Sequence, residues 1–138
     1  MRRPAGSWRS VAAWAALILI ATTVPLTDIA SRAAVPWLDK LVHGTLYLTL
    51  GWLVGAALCA TGRRSVGARA SALLALSVFA LLDEVHQRWL PGRVASLDDW
   101  AADVIGATIG LAVGMILWKC APATEAESAS RQGNREEI

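Results

Sequence analysis

The chain predicts an all-α integral membrane bundle of four transmembrane helices, with the N- and C-termini cytoplasmic, and three observations carry that reading. Mean hydropathy is +0.46 and only 17% of residues are charged, outside the usual range for a soluble domain. Four apolar stretches occupy most of the 138 residues, about as many spans of roughly 20 residues as that length can hold. The remaining charges are sorted, with basic residues flanking the stretches at one end and acidic residues entering them at the other.

Residues 1–9 form a short cytoplasmic N-terminus ahead of a first span over about 10–27, the charge-free interval between Arg9 and Asp28. Arg2-Arg3 before an apolar stretch has the outline of a secretory signal, but no small-x-small site follows closely, so the helix is retained. The second span, about 41–62, lies between Lys40 and Arg63. The third and fourth intervals are shorter, residues 70–82 between Arg69 and Asp83 and residues 104–118 between Asp103 and Lys119. Neither crosses the hydrocarbon unless it extends through its acidic neighbours, which gives spans of about 70–90 and 97–118. Asp83, Glu84, His86, Asp99 and Asp103 then lie inside helix ends. The four spans make one transmembrane domain over 10–120. Residues 121–138, polar and mixed in charge, read as a disordered cytoplasmic tail.

Orientation follows from the basic residues, because short loops rich in Lys and Arg stay cytoplasmic. Arg2, Arg3, Arg9, Arg63, Arg64, Arg69, Lys119, Arg131 and Arg135, nine of the thirteen, fall on one side. Arg32, Lys40, Arg88 and Arg93 fall on the other, with most of the acids that flank the spans. Trp8 and Trp118 match the cytoplasmic boundary, and Trp37, Trp89 and Trp100 the outer one. Cys59 and Cys120 fall near cytoplasmic ends, a reducing environment in which no disulfide is expected. There is no internal repeat, no phosphate-cradling glycine loop and no nucleic-acid signature.

The polar residues gather at the outer side. Asp39, Lys40 and His43 open the second helix, Asp83 to Arg88 close the third, and Ser96, Asp98, Asp99 and Asp103 open the fourth. Ionisable groups at membrane depth are costly and usually face the bundle interior, so this cluster is the candidate site. Helical spacing sorts it into three stripes: Asp39, His43 and Tyr47; Asp83, His86 and Gln87; Asp99, Asp103 and Gly106. Gly51 and Gly55, and Gly106, Gly110 and Gly114, stand four apart, the spacing that lets membrane helices approach closely. Several residues also have structural readings. Ser96 and Asp99 have the form of a capping box, Glu84 and Arg88 that of an i,i+4 ion pair, Pro91-Gly92 that of a turn, and Tyr47 can simply pack.

"DKLVHGTLY" at 39–47, "DEVHQRWLPGR" at 83–93 and "SLDDWAADVIGATIG" at 96–110 resemble the signature blocks of the VanZ-like family of small bacterial membrane proteins. The positions that match the family pattern are Asp39, Lys40, His43, Tyr47, Asp83, Glu84, Gln87, Pro91, Arg93, Ser96, Asp99 and Gly106, whereas Asp103 stands where many members carry Asn. The family is named for a protein that raises resistance to the glycopeptide teicoplanin. The resemblance therefore implies a multi-pass protein of the bacterial plasma membrane with a role at the cell envelope, and it supplies no reaction.

Three classes of function fit. In an enzyme acting on a lipid-linked envelope precursor or phospholipid headgroup, Asp83, Glu84, His86 and His43 are the acid–base candidates. Asp39, Lys40, Tyr47, Gln87, Arg93, Ser96, Asp99 and Asp103 are the substrate-binding candidates, with Lys40 and Arg93 suited to a phosphate. A metal-assisted variant would place a divalent ion on His43, His86, Asp83 and Asp103. A non-catalytic protein would use the same cluster to bind a lipid headgroup or glycopeptide on the outer face. A small transporter or assembly factor is the third class, disfavoured because the charges are confined to one half of the bundle.

Overall fold

The computed structural model describes residues 8–23, 38–90 and 96–118. These form four helices: α1 (Trp8–Thr23), α2 (Leu38–Ala60), α3 (Val66–Gln87) and α4 (Leu97–Leu117). The protein is all-helical, a membrane helical bundle. α2 from Lys40, α3 and α4 are each long and apolar enough to cross a bilayer, and α1 is a shorter apolar helix of 16 residues. The N-terminal segment 1–7, the connection 24–37 with Trp37, residues 91–95 with the turn expected at Pro91-Gly92, and the tail from Lys119 lie outside the described residues.

Helix ends explain where the sequence-based spans shift. α3 begins at Val66 rather than about 70, because Ser65 is its N-cap and accepts a hydrogen bond from Ala68 N at 3.1 Å. Arg69 is thus a first-turn helical residue. α2 ends in a Schellman arrangement: Gly62 takes φ +71°, its N–H donates to Cys59 O, and Arg63 N donates to Leu58 O.

α2 and α4 form the closest pair in the bundle, while α3 packs chiefly on α4 and α1 chiefly on α2. Gly106 faces Gly44, Gly110 faces Leu48 and Gly114 faces Trp52, so the two helices run parallel. Their backbones approach so closely that a Cβ at Gly106 or Gly110 would collide with the Gly44 or Leu48 carbonyl. Small residues at a four-residue repeat allow this approach, and packing at such short range replaces the hydrophobic drive that lipid removes. Ile18, Tyr47, Leu50, Val54, Leu58, Leu76, Ala80, Ala107 and Leu111 build the core.

One expectation changes here, and two indoles tie helices together. The Trp100 indole N–H turns inward and donates to Ser77 O at 3.2 Å, tying α4 to α3. Trp14 does the same between α1 and α2, donating to Leu46 O at 3.0 Å. Cys59 is disulfide-bonded, not a reduced thiol. The end of α2 lies against the last turns of α4, with Gly55 beside Leu111 and Met115.

Candidate functional site

The helix faces that meet at one end of the bundle are polar. Its lower wall is Tyr47, fully buried, whose ring lies 6.0 Å from Phe79. The Tyr47 hydroxyl donates to Asp83 Oδ2 at 3.4 Å, and Thr22 of α1 donates to Asp83 Oδ1 at 2.8 Å. Both Asp83 oxygens are therefore taken by hydroxyls, and this carboxylate joins α1, α2 and α3.

Above it stand His43, Glu84 and Asp103, one from each of α2, α3 and α4, exposed by 1%, 4% and 0%. His43 Nδ1 lies 3.3 Å from Asp103 Oδ1 and 3.4 Å from Oδ2. Its hydrogen bond is directed at Oδ2, which leaves Asp103 Oδ1 without a donor. Glu84 Oε2 accepts the Ser96 backbone N–H at 2.9 Å, and Glu84 Oε1 has no hydrogen-bond partner. One donor atom from each of the three residues falls within 4.8 Å of the others. Lys40 closes the edge of the cluster, donating to Asp99 at 2.9 Å and standing 3.8 Å from Asp98.

α3 does not present the stripe expected of it. Its buried side is Leu76, Ala80, Asp83, Glu84 and Gln87, and His86 is exposed, 3.3 Å from Thr23 Oγ1 on α1. Of the expected metal set His43, His86, Asp83 and Asp103, only His43 and Asp103 come within hydrogen-bond range of each other; both Asp83 oxygens accept from hydroxyls, and His86 faces the groove beside α1. Glu84 turns inward and forms no ion pair with the exposed Arg88. Ser96 caps α4 by accepting from Asp98 N at 3.2 Å, but no capping box closes. The Ser96 N–H that Asp99 would take goes to Glu84, and Asp99 takes Lys40. Gln87 is buried within the cluster. Arg93 and the Asp39 side chain lie outside the described residues.

Thr22, Thr23 and Phe79 were not singled out by sequence. The usable signal was the adjacent hydroxyls Thr22 and Thr23 in the first span, at the end where the acids of the other helices collect. Thr23 and Phe79, with Leu19, Ile20, Leu82, Asp83 and His86, line an open groove of about 490 Å³ between α1 and α3. Its walls are apolar and its polar end is Asp83 and His86.

Comparison with known proteins gives one result. The family described as VanZ/LLP1 matches residues 5–118, which include all four helices and every residue of the cluster. The chain belongs to the VanZ/LLP1 family. No curated protein and no solved structure shows significant similarity to it. Within this VanZ/LLP1 domain the matched signature blocks coincide with the polar end of the bundle: the first supplies Lys40, His43 and Tyr47, the second Asp83, Glu84 and Gln87, the third Ser96, Asp99 and Asp103.

Proposed function

We propose that this VanZ/LLP1 protein is a four-span protein of the bacterial plasma membrane whose polar cluster faces outward and acts on the headgroup of an amphiphilic envelope substrate. That action contributes to tolerance of teicoplanin-type glycopeptides. The observation that carries the reading is the buried trio His43, Glu84 and Asp103 with two carboxylate oxygens left without donors. Groups of this kind are costly at membrane depth, and a purely structural network would satisfy them. The groove between α1 and α3 supports an amphiphile as the substrate. Leu19, Ile20, Phe79 and Leu82 suit an acyl chain, and Asp83, Thr23 and His86 suit the polar end. The concentration of basic residues at the other helix ends supports the outward placement. In this reading Glu84, His43 and Asp103 carry the chemistry, Asp83 positions α1 and Tyr47, and Lys40 holds Asp99 at the rim.

The test is teicoplanin susceptibility of a sensitive bacterium expressing the wild type, Glu84→Gln, Asp103→Asn or Asp98→Asn, with membrane abundance checked by immunoblot. Protection by the wild type and Asp98→Asn, and none by the other two at equal abundance, is the expected pattern. Graded weakening in Glu84→Gln and Asp103→Asn would replace a chemical site by a binding surface. No protection by the wild type would remove glycopeptide tolerance from the reading.

A further inference from the structure

Resting on the reading of the cluster as a chemical site, we infer that His43, Glu84 and Asp103 are the protein ligands of a first-row divalent cation. Four observations converge on it. The donor atoms come from three different helices, lie within 4.8 Å of one another, and all belong to buried residues. Glu84 Oε1 and Asp103 Oδ1, on residues 4% and 0% exposed, lack hydrogen-bond donors.

The separation of His43 Nδ1 from Asp103 Oδ1, 3.3 Å, is the third. A charge-assisted N–H to carboxylate bond closes to about 2.7–2.9 Å. Two ligands of one tetrahedral ion with bonds of about 2.0–2.1 Å stand about 3.4 Å apart. The observed spacing accommodates the second arrangement, in which the hydrogen bond from His43 to Asp103 Oδ2 gives way to the ion. Charge is the fourth. Among the described residues no lysine or arginine forms an ion pair with Asp83, Glu84 or Asp103, and among them one buried imidazole stands against these three buried carboxyl groups. Burial of unpaired carboxylates is strongly unfavourable, and a divalent ion is a compact source of the missing positive charge.

The ligand set also identifies the class of ion. One imidazole with two carboxylates is a borderline N/O set, suited to zinc or manganese and poorly suited to ions that want thiolate. Ser96 N–H on Glu84 Oε2 is the outer-shell contact that fixes a ligating carboxylate with its other oxygen turned inward. Three protein ligands leave a fourth position for water or a substrate oxygen, the arrangement of catalytic rather than structural sites.

The experiment uses the full chain, purified in detergent without a polyhistidine tag, stripped with chelator and titrated with zinc chloride or manganese chloride. Bound metal is counted by mass spectrometry, and affinity is read by competition with a chromophoric chelator. One equivalent per chain is expected, kept in Thr108→Val, a change at an exposed position of α4 away from the cluster. His43→Ala, Glu84→Gln and Asp103→Asn should each weaken it by about 100-fold or more, since loss of an outer-shell partner alone costs about 10–100-fold. A wild type that binds neither ion, or an equivalent that survives in all three variants, would overturn the assignment. If the variants lose their helical circular dichroism, the wild type loaded with cobalt chloride decides. Visible d–d bands of a site with nitrogen and oxygen ligands support the centre, and a spectrum of hexaaqua ion only overturns it. Metal counting needs no antibiotic or lipid, so a metal-free protein that still protects cells separates failure of this inference from failure of the functional reading.

Discussion

At the scale of residues, Asp83 and Glu84 show how neighbouring carboxylates acquire different roles. Asp83 is enclosed by the Thr22 and Tyr47 hydroxyls, whereas Glu84 keeps one oxygen without a donor. Thr22→Val removes the shorter bond to Asp83 while keeping shape. It should lower stability by roughly 1–2 kcal/mol, read as a fall in Tm in detergent, with the metal-binding stoichiometry unchanged. Most of the cluster was legible from its residue types and their place at helix ends. The place of His86 off the buried face of α3 has a geometric cause. At about 100° per residue, the centre of the buried face of α3 is set by Leu76, Ala80 and Gln87, and His86 falls about 100° from it, well outside Glu84. Grouping the acids with one another, rather than with the apolar residues a turn or two earlier, chose the wrong neighbour. The Ser96 N–H taken by Glu84 was not legible, because it depends on how α3 and α4 meet.

At the scale of elements, the α2–α4 pair is the rigid part of the molecule and α1 the loosely attached part. Gly110→Ala places a methyl group against the Leu48 carbonyl, and helix backbones cannot yield as a side chain does. The expected cost is about 1–3 kcal/mol, seen as a lower Tm and lower membrane abundance, whereas Gly67→Ala, where a Cβ meets open space, should cost little. That a glycine stripe would bring helices together was readable from its four-residue spacing. That α2 and α4 were the partners was not, because the repeat in one helix does not name the other. The start of α3 was missed because Arg69 was treated as loop, although Ser65 is a good capping residue.

At the scale of the whole molecule, composition alone announced the membrane, because no soluble core needs this much apolar sequence in so short a chain. Sidedness is argued from basic residues, and the disulfide at Cys59 runs against the reducing environment which that argument assigns to its end of α2. In a background with both native cysteines replaced by alanine, Arg88→Cys should react with an impermeant maleimide added outside intact cells, and Arg69→Cys only after permeabilisation. The opposite result would invert the bundle. The surface around the polar cluster has its own consequence. Leu41, Leu82, Val85 and Leu97, at the level of the buried acids, are all exposed, so the bundle keeps an oily exterior alongside its charged interior. Reagents should therefore reach Glu84 according to how they partition: a lipid-soluble carbodiimide dissolved in the acyl chains meets it sideways, and a water-soluble one arriving from the medium meets it slowly or not at all.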